Sequence, residues 1–444
     1  MRLSRKNLTT WLAAACLVPA AVPALAQTAP PAAQAAPETP AAPAADAPPP
    51  GYWINGIHLS AQIEGGITVN PQNPSSGVNF GHLFTDRVSQ PLLNQILLTA
   101  NKPLDPKATG FDWGFKLQGM YGSDARYTQY LGEFNNSLPG ARNQFDIVEA
   151  NVLLHLPFPT EGGMDIKAGQ FPTPLGYETI DPSTNPFYTH SYIFNFGIPL
   201  EHTGVLTTTH VSPLLDIYLG VDTGENTTFG SRGDNNGSIA GTIGFGLNMM
   251  DGNLTILALS HMGPENPSRL LAPTYNADKY MRYENDAIIT WKASDALTLV
   301  TELNWIRDEF LGFVATGKPS PANGYGLAQY ASYTLSDTVT LNVRGEIWAD
   351  DSGAFVAAYP GNNDAVRAEL GLPNGSGSPV AGRSTTYGAI TLGATFKPSL
   401  PAPITGLLIR PEIRVDSALN STHPFNDGTS NYQLTIASDF VLTF

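Results

Sequence analysis

From residue 56 onward, apolar and polar residues take turns along the chain. Over 337–349, Val339, Leu341, Val343 and Ile347 fall on one face and Thr338, Thr340, Asn342, Arg344 and Glu346 on the other. Over 406–416, Leu407, Ile409, Ile413 and Val415 share a face, while Arg410, Glu412, Arg414 and Asp416 share the opposite one. A period of two is that of an extended strand whose sides meet different surroundings. Four charges in succession on one face need water or one another, and in a membrane barrel that face looks into the lumen. The same alternation predicts strands over 56–69, 92–102, 110–122, 145–156, 163–171, 201–211, 214–223, 237–249, 252–262, 282–292, 296–307, 325–335, 338–349, 385–397, 405–418 and 431–444. Most have roughly the 9–11 residues that a tilted strand needs to cross a bilayer. Sixteen is even, as a closed antiparallel bacterial barrel requires, and the pattern also accommodates fourteen or eighteen.

The connections strengthen the reading, because they alternate short and long. Ser212-Pro213, Met250-Asp251-Gly252, Ala293-Ser294-Asp295 and Leu335-Ser336-Asp337 mark short ones, and the long ones are rich in Gly, Asn, Pro and Ser. Outer-membrane barrels pair short periplasmic turns with long external loops, so both termini are expected in the periplasm. Thr290-Trp-Lys-Ala-Ser-Asp295 and Ser332-Tyr-Thr-Leu-Ser-Asp337 look like one hairpin design used twice. Closure is required physically, because an open sheet edge in hydrocarbon leaves amides unpaired. Trp113, Tyr121, Trp291, Trp305 and Trp348 sit near strand ends, where an interfacial girdle is expected. The expected fold is all-β: a closed transmembrane antiparallel barrel of about 16 strands with a long third external loop.

Composition agrees. Charged residues make up 14% of the chain, well below the ~25% of a typical soluble domain. After Ala26 no apolar stretch is long enough for a membrane-crossing helix. Before it, Arg2, Arg5 and Lys6 precede an apolar run from Leu8 to Val22, and Ala24-Leu-Ala26 offers small residues for cleavage between Ala26 and Gln27. The lone cysteine, Cys16, falls in this expected leader and has no Leu three residues before it, which argues against a lipoprotein signal. Residues 27–50 are mostly Ala and Pro and read as a disordered periplasmic linker. The net charge of −15, near −18 once the leader is removed, argues against nucleic acid as a partner.

The last strand places Tyr432, Leu434, Ile436, Phe440, Leu442 and Phe444 at alternate positions, with Ser438 the one gap. Phe440, Leu442 and a final Phe444 look like the signal by which barrels are recognised for assembly. Expected partners are therefore the export and assembly machinery, outer-membrane lipid and lipopolysaccharide, and small solutes. Oligomeric state is left open, a homo-oligomer included. Ala168-Gly-Gln-Phe171, Pro174-Leu-Gly-Tyr-Glu178 and Ile198-Pro-Leu-Glu-His-Thr-Gly204 follow in an order that resembles the putative beta-barrel porin family, the OmpL-like group. The resemblance extends over 51–444, although its specific residues fall within 168–204. It implies an outer-membrane barrel, often named a porin, and brings no catalytic or binding set.

The third external loop, 172–200, carries Tyr177, Phe187, Tyr188, Tyr192, Phe194 and Phe196. So many aromatics are a poor use of apolar area on an exposed loop. Folded into the barrel, they would be buried against the wall and narrow the pore, whereas an external lid or a subunit interface is the alternative. From Ala168 to Ser231 there is no Lys or Arg, while Glu178, Asp181, Glu201, Asp216, Asp222 and Glu225 are acidic. Arg344, Arg410 and Arg414 oppose part of that field and are expected to pair with Glu346, Glu412 and Asp416. With Tyr188, His190 and Tyr192, the residues Glu178, Asp181, Glu201, Arg344, Glu346, Arg410, Glu412 and Arg414 form the expected lining of the constriction. Carboxylate rings favour cations, so weak cation preference or little selectivity is expected.

Other signals are slight. The eight histidines show no metal-ligand spacing, and His190 and His202 read as polar lining, so neither a metal nor a cofactor is expected. There is no Gly-x-Ser-x-Gly elbow, and no enzyme is expected. Asp234-Asn-Asn-Gly237 reads as a plain turn and Arg232-Gly-Asp234 as a chance match. The expected function is a passive diffusion channel for small hydrophilic solutes. The alternatives are a structural or adhesive barrel with a plugged lumen and a hydrolase at the barrel rim.

Overall fold

The computed structural model describes residues 52–444 apart from 136, 139, 140, 231–233, 269–274, 357–377 and 379. The expected leader with its Ala26/Gln27 cleavage site, the linker, and Arg232 and Gly233 lie outside the described residues. In chain order the strands are β1 Tyr52–Ile54, β2 Ile57–Val69, β3 Pro91–Lys102, β4 Asp112–Gly122, β5 Gln144–Leu156 and β6 Met164–Pro172. They continue with β7 Glu201–Ser212, β8 Leu215–Glu225, β9 Ala240–Met249, β10 Leu254–Pro264, β11 Met281–Lys292 and β12 Leu297–Asp308. The last are β13 Ala322–Ser336, β14 Val339–Asp350, β15 Thr385–Phe396, β16 Gly406–Ala418 and β17 Tyr432–Thr443.

From β2 to β17 each strand pairs antiparallel with the next, and β17 pairs with β2, with Asp439 opposite Gly66 and Phe440 opposite Gly65. The sheet therefore closes as a sixteen-stranded barrel. The seam runs to the end of the chain, where the Phe444 N–H donates to the Ala61 carbonyl at 2.9 Å. Closure removes the edges that hydrocarbon would leave unmatched. The alternation missed one element, the short β1, which pairs with β2 through a two-residue turn. Asn55 and Gly56 both have positive φ, 51° and 80°, the geometry that Asn-Gly supplies in tight hairpins.

Lipid-facing and lumenal positions separate as the period of two demands. Val343, Ile347, Leu392, Ile413 and Ile436 are exposed on the outer face, while Arg344, Glu346, Thr391, Arg414 and Thr435 are buried on the inner one. Trp113, Trp291 and Trp305 are exposed, and Tyr121 packs on the exposed Phe145 at 4.8 Å, as girdle residues would. Trp348 differs. It is fully buried because it shares the parity of Arg344 and Glu346 and therefore points inward. The short connections, among them 213–214, 293–296 and 337–338, gather at one end, and 70–90, 123–143 and 173–200 at the other.

The outer face generates a direct test. Leu392 lies near the middle of β15, so Leu392→Lys is expected to destabilise the folded barrel by ~2–4 kcal/mol. Urea unfolding in lipid vesicles measures this, and an unchanged midpoint would show that the face does not meet hydrocarbon.

Candidate functional site

The loop 173–200 leaves β6, crosses the inside of the barrel and returns to β7. Where it is buried its backbone is cut off from water, so each amide and carbonyl there needs a partner. Wall carboxylates take the N–H groups. Gly176 donates to Asp286 at 3.2 Å, Tyr177 to Glu302 at 2.9 Å, Tyr188 to Glu412 at 2.8 Å and Tyr192 to Glu346 at 2.7 Å. Wall guanidinium and amide groups take the carbonyls. Arg410 donates to Pro182 and Asn185, both at 2.7 Å, Arg414 to His190 at 2.7 Å and Arg344 to Thr189 at 2.8 Å. Gln95 reaches Ile180 at 2.9 Å, Asn342 reaches Pro186 at 3.2 Å and Asn304 reaches Gly197 at 3.0 Å.

The arginines are held by acids. Arg344 pairs with Glu178 at 2.6 Å and Glu346 at 3.2 Å, and Arg414 pairs with Asp416 at 2.7 Å and Glu346 at 3.2 Å. Arg410 pairs with Asp439, directly opposite on β17, and with Glu64 on β2 at 3.2 Å. It does not pair with its near neighbour Glu412, which is occupied by the loop amides and by the Thr189 hydroxyl. Burial alone would push the Glu178 carboxyl up, but Arg344 and His190 beside it hold it down at about 2. Without such a partner, burial raises the Tyr177 hydroxyl to about 12.

Ring packing fixes the loop further. Tyr192 stacks on Tyr387 with centroids 5.0 Å apart, under the Arg414 guanidinium at 5.3 Å, and Arg344 lies 5.0 Å from the Phe187 ring. The wall gives way where the loop presses on it. A Cβ at Gly326 would come within 2.6 Å of Ile193, and one at Gly66 within 2.5 Å of Tyr188. The first loop, 70–90, also enters. His82 meets Asp416 at 3.0 Å, and Phe84 packs against Tyr127, His190 and Phe194.

The fold brings Glu178, Tyr188, His190, Tyr192, Arg344, Glu346, Arg410, Glu412 and Arg414 together at the junction of loop and wall. The ring of His190 stays partly accessible, while the other side chains are buried. Asp181 is also partly accessible. It caps the turn Pro182–Thr184 by accepting from the Ser183 N–H, and it accepts from Gln62 at 3.0 Å. Glu201 stands apart at the start of β7, and neither of its buried oxygens has a hydrogen-bond partner among the described residues. The sequence reading missed the carboxylates Asp286 and Glu302. Their inward parity on β11 and β12 was the signal, but nothing linear ties them to a loop more than a hundred residues away. It named Asp222 and His202 separately, but nothing linear shows that they meet each other and His261 from three separate strands. Asp234 accepts from the Asn236 and Gly237 amides at 2.9 and 2.6 Å, the bonding of a turn.

Residues 56–444 match the family described as "Putative beta-barrel porin-2, OmpL-like". No curated protein sequence matches the chain. Among solved structures, the fold is similar to the outer membrane channel DcaP of Acinetobacter baumannii, with a TM-score of 0.52, 12% identity, and 89% of this chain and 99% of that one covered. It is similar also to the anion-selective porin from Comamonas acidovorans, with a TM-score of 0.52, 10% identity and coverages of 87% and 99%. Salmonella typhi OmpF in complex with daunomycin gives a TM-score of 0.51, 11% identity and coverages of 87% and 97%. Identities this low speak to the fold alone.

Two outcomes follow from the pinned loop. Arg344→Met leaves Glu178 without its guanidinium, and stranding a buried charge typically costs ~3–5 kcal/mol. The variant is expected to stay a heat-modifiable barrel but to be cut within 173–200 by added protease, while the parent resists. Equal resistance would remove Arg344 from the anchoring. The Glu178 carboxyl is depressed, so its contribution is complete above its ordinary value of 4.5 and disappears as pH falls through about 2. Pepsin is therefore expected to cut the loop near pH 2 and to spare it near pH 4.

Proposed function

The chain belongs to the OmpL-like putative beta-barrel porin-2 family, and on that footing we propose that it is a passive outer-membrane channel for small hydrophilic solutes, with weak cation preference or little selectivity. The short turns and both termini face the periplasm in this reading. The carrying observation is a closed sixteen-stranded bore, wide enough for water, crossed by a loop tied mainly to β2, β3 and β11–β16. Beside the loop a cavity of about 400 Å³ is lined by Lys116, Asp165, Lys167, Leu206, Thr208 and Tyr218 among others. A second, of about 240 Å³, is lined by His58, Gln62, Gln118, Asp181 and Thr443 among others. Both signs of charge line the first cavity, and Lys116 pairs with Glu149 at 2.5 Å, which supports little selectivity there. The buried acids around the loop add a negative field.

A second reading, a barrel with a plugged lumen, is favoured by one observation. Arg344, Arg414 and Tyr192 are at most 1% exposed, so water does not reach them in this conformation.

Planar-bilayer recording on refolded mature protein separates the two. The channel reading expects discrete conductance steps and a reversal potential in a KCl gradient near zero or slightly toward the cation side. Deleting 179–196 is expected to raise the step size several-fold. Strong chloride preference would overturn the selectivity, and folded protein without steps would favour the plugged barrel.

A further inference from the structure

Three strands bring metal-binding side chains to one place in the wall. His202 on β7, Asp222 on β8 and His261 on β10 offer donor atoms that all lie within 4.8 Å of one another. His261 Nε2 is 3.1 Å from Asp222 Oδ1, and His202 Nδ1 is 3.6 Å from that same oxygen. A tetrahedral ion with bonds of ~2.0–2.1 Å sets its ligand atoms about 3.3 Å apart, so both separations suit one shared ion. β9 runs between β8 and β10 and presents Ala240 and Thr242 there, short enough for Asp222 and His261 to meet across it.

The outer nitrogens of both rings are already engaged. His261 Nδ1 faces Glu284 Oε2 at 3.0 Å, and His202 Nε2 faces Thr173 Oγ1 at 3.1 Å. A partner on the far nitrogen fixes tautomer and ring orientation, as metal-bound histidines require. It also leaves His202 Nδ1 pointing inward, with its ring 1% exposed and no hydrogen-bond partner for that atom. The surroundings are acidic. Glu225 donates its N–H to Glu265 at 2.8 Å, and Arg282, which pairs with Glu225 and with Asp308 at 3.0 Å, is the cation facing these acids.

We propose that His202, Asp222 and His261 bind one divalent transition-metal ion of the zinc class, with Thr173 and Glu284 orienting the two imidazoles. Three protein donors leave a fourth position for water. The ion would tie β7, β8 and β10 together at the stem of the crossing loop, where Thr173 begins it and His202 follows its return. The inference is independent of the channel reading, because it concerns the wall and is tested by binding.

The full mature chain is refolded in detergent with Zn²⁺ or Co²⁺, desalted, and assayed for bound metal and for the visible absorption of four-coordinate cobalt. One equivalent per chain is expected, with that cobalt band and a melting temperature raised by the ion. Asp222→Asn and His202→Gln are expected to retain at least tenfold less metal while still migrating as folded barrels. Glu284→Gln is expected to weaken binding by ~10–100-fold. A control, His155→Gln with His210→Gln, removes a separate histidine–carboxylate group, in which His155 meets Asp165 at 2.7 Å and His210 meets Asp216 at 2.8 Å. It should retain the full equivalent. Folded parent protein that holds no metal overturns the proposal, as does loss of the metal in the control alone. Should the site variants fail to fold, the parent's stoichiometry and cobalt spectrum decide.

Discussion

A peptide segment packed against the inner wall of a barrel carries its amides and carbonyls with it, and matching them is the constraint on which this molecule turns. The barrel satisfies its own backbone by closing on itself, so it has nothing left to offer a crossing loop. The side chains of the wall must supply the partners. This explains why the inward faces of β11, β12, β14 and β16 carry acids, arginines and asparagines. Asp286, Glu302, Glu346 and Glu412 accept from loop amides, while Arg344, Arg410, Arg414, Asn304 and Asn342 donate to loop carbonyls.

Buried ion pairs are a weak source of stability, since desolvation offsets most of the attraction. Here their use is one of matching. An apolar lining of equal volume would pack as well and leave the loop unsatisfied. The pairs also neutralise each guanidinium while it serves a carbonyl, as when Arg344 touches Glu178 and the Thr189 oxygen through the same nitrogen. Apolar side chains then fill what the polar contacts leave, and Gly66 admits the Tyr188 ring as Gly326 admits Ile193. The arrangement buries Arg344, Arg414 and Tyr192 across the lumen and leaves polar cavities to one side.

The barrel was legible because lipid on one side and polar surroundings on the other impose a strict period of two. That rule also identifies Trp348 as lumenal, since it shares parity with Arg344, and position near a strand end was the wrong guide. The aromatic excess of 173–200 pointed to burial. What it buries against was hidden, because Glu302 and Glu412 lie 125 and 224 residues from the amides they accept. Arg410 pairs with Asp439, because a directly opposed residue on the next strand stands closer than one two positions along its own. One signal went unread: the inward row Ala322, Gly324, Gly326, Ala328 on β13 makes room for Ile193 and Trp348. The first loop gave little warning, for Val78, Phe80, Leu83, Phe84 and Val88 are scattered among Asn, Gly, Pro and Ser.

The central claim, that 173–200 is held inside the barrel through its backbone, is tested most directly by amide hydrogen exchange on the folded protein in lipid. The account predicts that Gly176, Tyr177, Tyr188, Thr189 and Tyr192, which donate to the wall, and Ser191, which donates to Glu178 of the loop, exchange as slowly as the barrel strands. Exchange of these amides within seconds, at the rate of an exposed external loop, would contradict it.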